Sequence, residues 1–249
     1  MHVCTNTLVS GKSNTIFTTN KLQTEKMSKT VLITGTSKGI GLALAKIFLA
    51  NDFKVIGTCS TGISNELEHP NFQSLSLDLS KIDNIKEFDK YFQGNDILLD
   101  ILINNAGIGP DLDFEFPEEK TFKQTFDVNV IGTTFFTEQI CKYIVKNGKI
   151  VNISSKMGSI DVCGLSDSVA YRMSKTALNM YTKILTNRQL GKQFIASVHP
   201  GWVRTTISKS NVNGRLSTEE SAQRIYEFVV SDFKTGIFWN VETQSECKW

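Results

Sequence analysis

The chain has 249 residues, of which 40% are hydrophobic, and its 27 basic and 25 acidic side chains give a net charge of +2. This hydrophobic content is enough for a substantial core and excludes a chain that is disordered over most of its length. The balanced charge gives no electrostatic reason to expect nucleic acid or a membrane surface as a partner, and no apolar run approaches the roughly 18 residues of a membrane span.

The five cysteines are an odd, scattered set without a C-x-x-C pair: Cys4, Cys59, Cys141, Cys163 and Cys247. Such a set argues against a disulfide framework and against a zinc site, so no bound metal is expected. It is typical of a reducing compartment, and we predict a cytoplasmic protein.

Residues 1–26 are rich in Thr, Asn and Ser, and their single acidic residue is Glu25. A transit peptide is one interpretation, but such peptides are usually Arg-rich and this segment has no Arg. We therefore predict a disordered extension over residues 1–26 and one folded domain over residues 27–249. A start of translation at Met27 is a further alternative, because the first predicted strand follows almost directly.

From Thr30 onward, short apolar segments alternate with longer amphipathic ones. Strands are predicted at seven places: Thr30–Thr34, Lys54–Thr58, Gln73–Leu77, Leu98–Asn104, Lys149–Ser154, Phe194–Val198 and Ile237–Val241. Helical patterns include Gly39–Asn51 and Glu118–Lys146, and Ser217-Thr218-Glu219-Glu220 has the capping-box pattern of a helix start. This alternation predicts a single α/β domain with a doubly wound parallel sheet, because parallel strands need crossover connections.

The segment Thr34-Gly35-Thr36-Ser37-Lys38-Gly39-Ile40-Gly41 lies between the first strand and the first helix. Glycines here let the backbone turn tightly and approach a pyrophosphate, which then binds the N–H groups of a helix N-terminus. A glycine-rich turn without a ligand is the alternative. The residues predicted to bind the dinucleotide are Gly35, Ser37, Lys38, Gly39, Ile40 and Gly41.

Four further motifs follow in order: Asn104-Asn105-Ala106-Gly107, Ile153-Ser154-Ser155, Tyr171-Arg172-Met173-Ser174-Lys175 and Pro200-Gly201-Trp202-Val203-Arg204-Thr205. Together with the glycine segment they resemble the short-chain dehydrogenase/reductase family. Residues 157–179 are similar to its sniffer and C-factor type carbonyl reductases. The resemblance implies a Rossmann-type sheet of seven strands in the order 3-2-1-4-5-6-7.

The resemblance also implies a catalytic set of Asn129, Ser155, Tyr171 and Lys175. Tyr171 would give a proton to a carbonyl oxygen that Ser155 holds, and Asn129 would support a water leading to Lys175. Tyr171 and Lys175 are four residues apart and so share one face of a helix. We expect the ammonium, together with the positively charged nicotinamide, to lower the pKa of the tyrosine. An exposed aromatic ring beside a solvated charge is the alternative for this pair.

The end of the second strand indicates the cofactor. Members that bind NAD have an acidic residue there, whereas Ile56–Thr61 has none. Lys38, in the glycine loop, is placed to pair with a 2′-phosphate, and we therefore predict NADP(H) as the cofactor. The alternative is that Lys38 is a solvated loop charge. The other cofactor-binding residues implied are Asp78, Leu79, Asn104, Asn105, Ala106, Gly107, Tyr171, Lys175, Pro200, Gly201, Val203 and Thr205. For Asp78, a helix cap is the alternative.

The loop after the fourth predicted strand contains five acidic residues: Asp111, Asp113, Glu115, Glu118 and Glu119. We interpret them as a solvated face. Repulsion of anionic substrates is the functional alternative.

These residues predict an enzyme that reduces a small carbonyl compound, an aldehyde or ketone, with NADPH. The alternative is a dinucleotide-binding regulatory protein with little turnover, which would not need all four catalytic residues. A dehydratase or epimerase is a third hypothesis, but the chain lacks the extra C-terminal substrate domain that those proteins usually have. The family resemblance also makes a homodimer or homotetramer possible.

Overall fold

The structure, a computed structural model, describes residues 28–60, 62 and 67–249. The extension predicted over residues 1–26, and Met27, lie outside the described residues. The strands are β1 (Thr30–Thr34), β2 (Lys54–Cys59), β3 (Phe72–Ser76), β4 (Leu99–Asn104), β5 (Ile144–Ile153), β6 (Phe194–His199), β7 (Ile237–Asn240) and β8 (Ser245–Glu246). The α-helices are α1 (Gly39–Ala50), α2 (Ile82–Gly94), α3 (Glu119–Phe126), α4 (Thr133–Ile140), α5 (Val169–Arg188) and α6 (Thr218–Val230).

The eight strands of the described residues belong to one sheet in the order β3-β2-β1-β4-β5-β6-β7-β8. Neighbouring strands are parallel from β3 to β7, which confirms the predicted doubly wound α/β fold and its strand order. The eighth strand was not predicted. It pairs antiparallel with β7 through only Ser245 and Glu246, and two residues are too few to show an alternating pattern.

Residues alternate between two cores along the central strands. Val31 and Ile33 pack in the core that α1 and α6 cover, whereas Leu32 packs in the core beneath α2, α4 and α5. Because both faces of β1 are buried, its sequence is a continuous apolar run. Parallel strands also bring their carboxyl ends to one edge of the sheet, where the candidate site lies.

The helix predicted over Glu118–Lys146 is wrong in its C-terminal part. After α3 the chain forms a π-helical segment, Asp127–Gly132, and then α4, which ends at Ile140. Strand β5 begins at Ile144, which pairs with Leu99 of β4. The pairing register of the two strands shifts between Leu99 and Ile101. This pairing with β4 overrides the helical pattern that the sequence shows over residues 144–146. The other predicted strand boundaries agree within one residue.

Helix α6 begins where the capping-box pattern predicted. The Ser217 hydroxyl accepts a hydrogen bond from the Glu220 N–H (3.1 Å), and the Glu220 carboxylate accepts one from the Ser217 N–H (2.7 Å). Both partners are three residues apart, so the pattern was visible in the sequence. Within the described ranges, none of the helices has the length and apolar character needed to cross a membrane.

Candidate active site

The glycine loop between β1 and α1 is held against the ends of β2 and β4. Gly35 has a φ of +73°, and a Cβ added there would lie 3.0 Å from the Cα of Ala106. The Asn105 side chain donates to the carbonyl oxygens of Thr34 (2.9 Å) and Gly35 (3.0 Å). Gly35 is therefore needed both for the backbone conformation of the loop and for its close contact with Ala106, two residues after β4.

The N-terminus of α1 faces open space. Gly39 has a φ of +61°, and apart from its chain neighbours and the adjacent helix backbone no described atom lies within 4 Å of a Cβ built on it. Lys38 occupies the N-cap position without a side-chain cap among the described residues, and the first turn contains no acidic residue. Ser37 and Lys38 are exposed beside this opening. Unpaired N–H groups at a helix N-terminus favour an anion, which is the chemistry of a pyrophosphate site.

Asn104 and Ala106, at the end of β4 and just after it, hydrogen bond to neighbouring strands and to α4. The buried Asn104 amide donates to the Thr137 hydroxyl (2.8 Å) and to Asn152 Oδ1 (2.7 Å), so this side chain links the sheet to α4. The Ala106 N–H donates to the Thr34 hydroxyl (2.9 Å). A cofactor contact by Asn104, Asn105 or Ala106 stays a prediction.

Gly107 marks the place where two of the predicted catalytic residues come together. A Cβ built on it would lie 3.3 Å from Asn129 Oδ1 and 3.4 Å from Lys175 Nζ. Asn129 lies in the π-helical segment, and its amide accepts from the Ile108 N–H (2.9 Å) and donates to the Ile108 carbonyl (2.8 Å). The same amide donates to the Ser174 hydroxyl (3.1 Å). Asn129 therefore joins the end of β4 to α5.

Tyr171, Ser155 and Lys175 form the centre of the site. Tyr171 and Lys175 lie one turn apart on α5, and both are buried. The Lys175 ammonium donates to the Ile153 carbonyl (2.9 Å) and lies 5.5 Å from the centroid of the Tyr171 ring. Ser155 lies two residues after the end of β5, and its side chain interacts with the Tyr171 phenol in the direction that lowers the pKa of that phenol. The structure thus brings all four predicted catalytic residues into one site.

Burial controls the titration of both central groups. It raises the pKa of Tyr171 to about 12, although the hydrogen bond with Ser155 lowers it and the charge of Asp111 raises it further. Burial also lowers the pKa of Lys175 to about 8. The expectation that Lys175 lowers the tyrosine pKa is therefore not met by the protein groups alone, because the cost of burying a phenolate is larger.

The remaining predicted cofactor residues lie around the same edge of the sheet. Asp78 Oδ1 accepts from the N–H (3.0 Å) and hydroxyl (2.6 Å) of Ser80, and its carboxylate pairs with Lys81 (3.0 Å). Asp78 therefore orders the turn before α2, while the buried Leu79 packs in the core. Beyond β6, the segment that contains Pro200, Gly201, Val203 and Thr205 packs on residues 214–216: Arg204 donates its N–H to the Leu216 carbonyl (2.9 Å).

One acidic residue of the 111–119 loop contradicts the interpretation as a solvated face. Asp113, Glu115, Glu118 and Glu119 are exposed, but only 1% of the surface of Asp111 is accessible. Asp111 Oδ2 accepts a hydrogen bond from the Tyr171 N–H (3.1 Å). Its partner is 60 residues away in the sequence, so no local pattern could identify it.

A model of the family described as short chain dehydrogenase matches residues 29–215. The 3-amino-tetrahydro-pyrrolizinone reductase of Xenorhabdus hominickii is 32% identical over 210 residues, which cover 80% of this chain and 71% of that protein. The structure of the carbonyl reductase Sniffer of D. melanogaster is 27% identical with a TM-score of 0.79, covering 89% of this chain and 100% of that one. An NADPH-bound carbonyl reductase from chicken fatty liver is 27% identical with a TM-score of 0.77, covering 89% and 94% of the two chains.

Proposed function

The chain belongs to the short-chain dehydrogenase family, and we propose that it reduces an aldehyde or ketone to an alcohol with NADPH, using Tyr171 as the general acid. The observation that carries this proposal is the buried grouping of Tyr171, Ser155 and Lys175 at the carboxyl edge of the sheet. It places a proton donor and a hydrogen-bonding hydroxyl together beside a cation.

The residues of the glycine loop fit a dinucleotide. The open space at Gly39 and the uncapped N-terminus of α1 suit a pyrophosphate. Residues 59 and 60 at the end of β2 are Cys and Ser, so no carboxylate there repels a 2′-phosphate, and the exposed Lys38 supplies a positive charge. The NADPH of the similar chicken enzyme supports the same cofactor for this chain.

Bound NADPH supplies the hydride for the carbonyl carbon. The chain's own groups act on the carbonyl oxygen. The Ser155 hydroxyl holds this oxygen by a hydrogen bond, and Tyr171 Oη transfers its proton to it, which completes the product hydroxyl. Because burial keeps the pKa of Tyr171 near 12, the phenol carries that proton at neutral pH. Lys175 remains near the phenol to stabilise the negative charge that develops as the proton leaves.

The experiment is a screen of aldehydes, ketones and quinones with NADPH, in which turnover is followed by the loss of NADPH absorbance. A parallel fluorescence titration measures NADPH binding. Turnover of at least one carbonyl class, abolished in Tyr171→Phe, supports the proposal. Tight NADPH binding with no turnover in a broad panel overturns it in favour of a dinucleotide-binding regulatory protein.

A further inference from the structure

Asp111 is a buried carboxylate outside the predicted catalytic set. It lies in the loop between β4 and α3, and 1% of its surface is accessible. Burying a charged carboxylate is unfavourable unless hydrogen bonds compensate for its lost hydration. Its compensating contacts therefore indicate why an acidic residue occupies this position.

The contacts of Asp111 join the loop to two helices. One carboxylate oxygen accepts the backbone N–H of Tyr171 (3.1 Å) in the first turn of α5, and the other accepts the hydroxyl of Thr125 (3.5 Å) on α3. The first-turn N–H groups of a helix have no partner within the helix. Asp111 thus supplies a partner for the N–H of the residue whose side chain is the proposed acid.

The residue that would normally cap α5 is engaged elsewhere. Ser168 occupies the N-cap position, but its backbone is left-handed, with φ 55° and ψ 43°. Its hydroxyl accepts from the Asp113 N–H (3.1 Å), and its own N–H donates to the Phe114 carbonyl (2.8 Å). A capping serine normally binds the second or third N–H of its helix. Here a carboxylate from a distant loop takes that role.

We propose that Asp111 is a positioning residue for the reduction, because it caps α5 at the backbone N–H of Tyr171. The charge of its carboxylate also disfavours the phenolate form of Tyr171. It acts through Tyr171 and does not contact substrate. This inference rests on the proposed function, because it assigns Asp111 a role in keeping the general acid in place and protonated.

The charges around Tyr171 support the electrostatic part. Of the described groups, the Lys175 ammonium on α5 lies 5.5 Å from the centroid of the ring, and the Ser155 side chain after β5 interacts with the phenol. Asp111, in the loop after β4, accepts a hydrogen bond from the backbone N–H of Tyr171. A cation at the distance of Lys175 favours the phenolate, whereas a carboxylate favours the phenol. Burial is the largest cause of the raised pKa of Tyr171, and Asp111 adds to it. A reductase benefits because its acid must begin each cycle protonated.

The capping part is tested with Asp111→Ala and Asp111→Asn, compared with the parent and with Asp113→Asn. Asp113 is an exposed residue of the same loop whose side chain contacts Ser210, so its variant is a matched control. Asp111→Ala should lower kcat roughly 10- to 100-fold, the scale of a displaced catalytic group, and speed amide hydrogen exchange at Tyr171. Asp111→Asn keeps an oxygen that can accept from the Tyr171 N–H, so its kcat and its exchange rate at Tyr171 should both be close to those of the parent. Parent-like kcat and exchange in Asp111→Ala would overturn the capping role.

The electrostatic part is tested without turnover. The near-ultraviolet absorbance of tyrosinate is followed as pH is raised, and subtracting the matching Tyr171→Phe protein isolates Tyr171. Its ionisation should begin about one pH unit lower in Asp111→Asn than in the parent, with Asp113→Asn unchanged. Equal onsets in Asp111→Asn and Asp113→Asn would overturn the electrostatic role. If the parent reduces no carbonyl, the proposed function fails, while this titration still reports whether Asp111 controls Tyr171.

Discussion

The ammonium of Lys175 donates a 2.9 Å hydrogen bond to the carbonyl of Ile153, the last residue of β5. This bond ties the face of α5 that carries Tyr171 and Lys175 to the strand that leads to Ser155. Lys175 is 5% exposed, and burial lowers the pKa of its ammonium to about 8. The proposed site thus contains a cation that loses its charge as pH rises through about 8.

Lys175→Met should weaken NADPH binding and lower kcat together, because the ammonium is proposed both to bind the cofactor and to stabilise the developing phenolate. The loss in binding should be about 1.5–3 kcal/mol, the scale of a charge-assisted hydrogen bond. Fluorescence titration and steady-state kinetics measure the two effects. Lys183→Met, on the exposed side of the same helix, is the control and should change neither. Unchanged NADPH affinity in Lys175→Met would contradict the binding role.

The titration of Lys175 predicts that NADPH binding depends on pH. Burial disfavours the ammonium, so Lys175 is charged below a pH of about 8 and increasingly neutral above it. NADPH affinity of the parent should therefore fall as pH rises through about 8. Lys175→Met should lack this fall, and the two titration curves should converge at high pH. A parent whose affinity stays constant across that range would show that Lys175 does not control binding.

Tyr171→Phe should lower turnover by roughly 10²–10⁴, the usual contribution of a positioned general acid. NADPH binding should stay within about 1 kcal/mol of the parent, because only the phenol oxygen is removed. Tyr181→Phe is a matched control on the same helix, since its phenol donates to Glu138 (3.0 Å), outside the proposed site. Comparable kcat values for Tyr171→Phe and the parent would exclude the tyrosine mechanism.

Lys38→Ala should separate the two nicotinamide cofactors. Loss of an ion pair with the 2′-phosphate should weaken NADPH by about 1.5–3 kcal/mol and leave NADH nearly unchanged. Lys46→Ala, an exposed lysine on α1, is the control and should affect neither cofactor. Equal losses for NADPH and NADH in Lys38→Ala would mean that Lys38 does not recognise the phosphate.

Gly132→Ala tests the packing that supports Asn129. A Cβ at Gly132, the end of the π-helical segment, would overlap the carbonyl oxygen of Leu79. The free energy of unfolding, measured with urea, should fall by about 1–3 kcal/mol. Gly94→Ala is the control, because no described atom lies within 4 Å of its Cβ position at the end of α2, and it should be neutral or slightly stabilising. Parent-like stability of Gly132→Ala would show that the Leu79 backbone can move away without cost.

Features whose partners are close along the chain could be predicted from the amino-acid sequence. The glycine spacing after β1 and the four-residue separation of Tyr171 and Lys175 correspond directly to a tight turn and one helix face. The alternation of strands and helices implied parallel pairing, and the structure confirms the strand order. These patterns are readable because backbone geometry relates neighbouring residues in a regular way.

Tertiary structure alone decided the features that depend on distant partners. Strand β5 begins at Ile144 because Leu99 pairs with it, although the residues that follow resemble part of a helix. Asp111 belongs to an acidic segment whose composition predicts a solvated face. In the structure its side chain is buried and accepts a hydrogen bond from the Tyr171 N–H. Ser168 is a residue type that often caps helices, but its hydroxyl accepts a hydrogen bond from the Asp113 N–H in the loop after β4. Each outcome depends on which groups the folded chain brings within hydrogen-bonding distance, and spacing along the sequence does not contain that information.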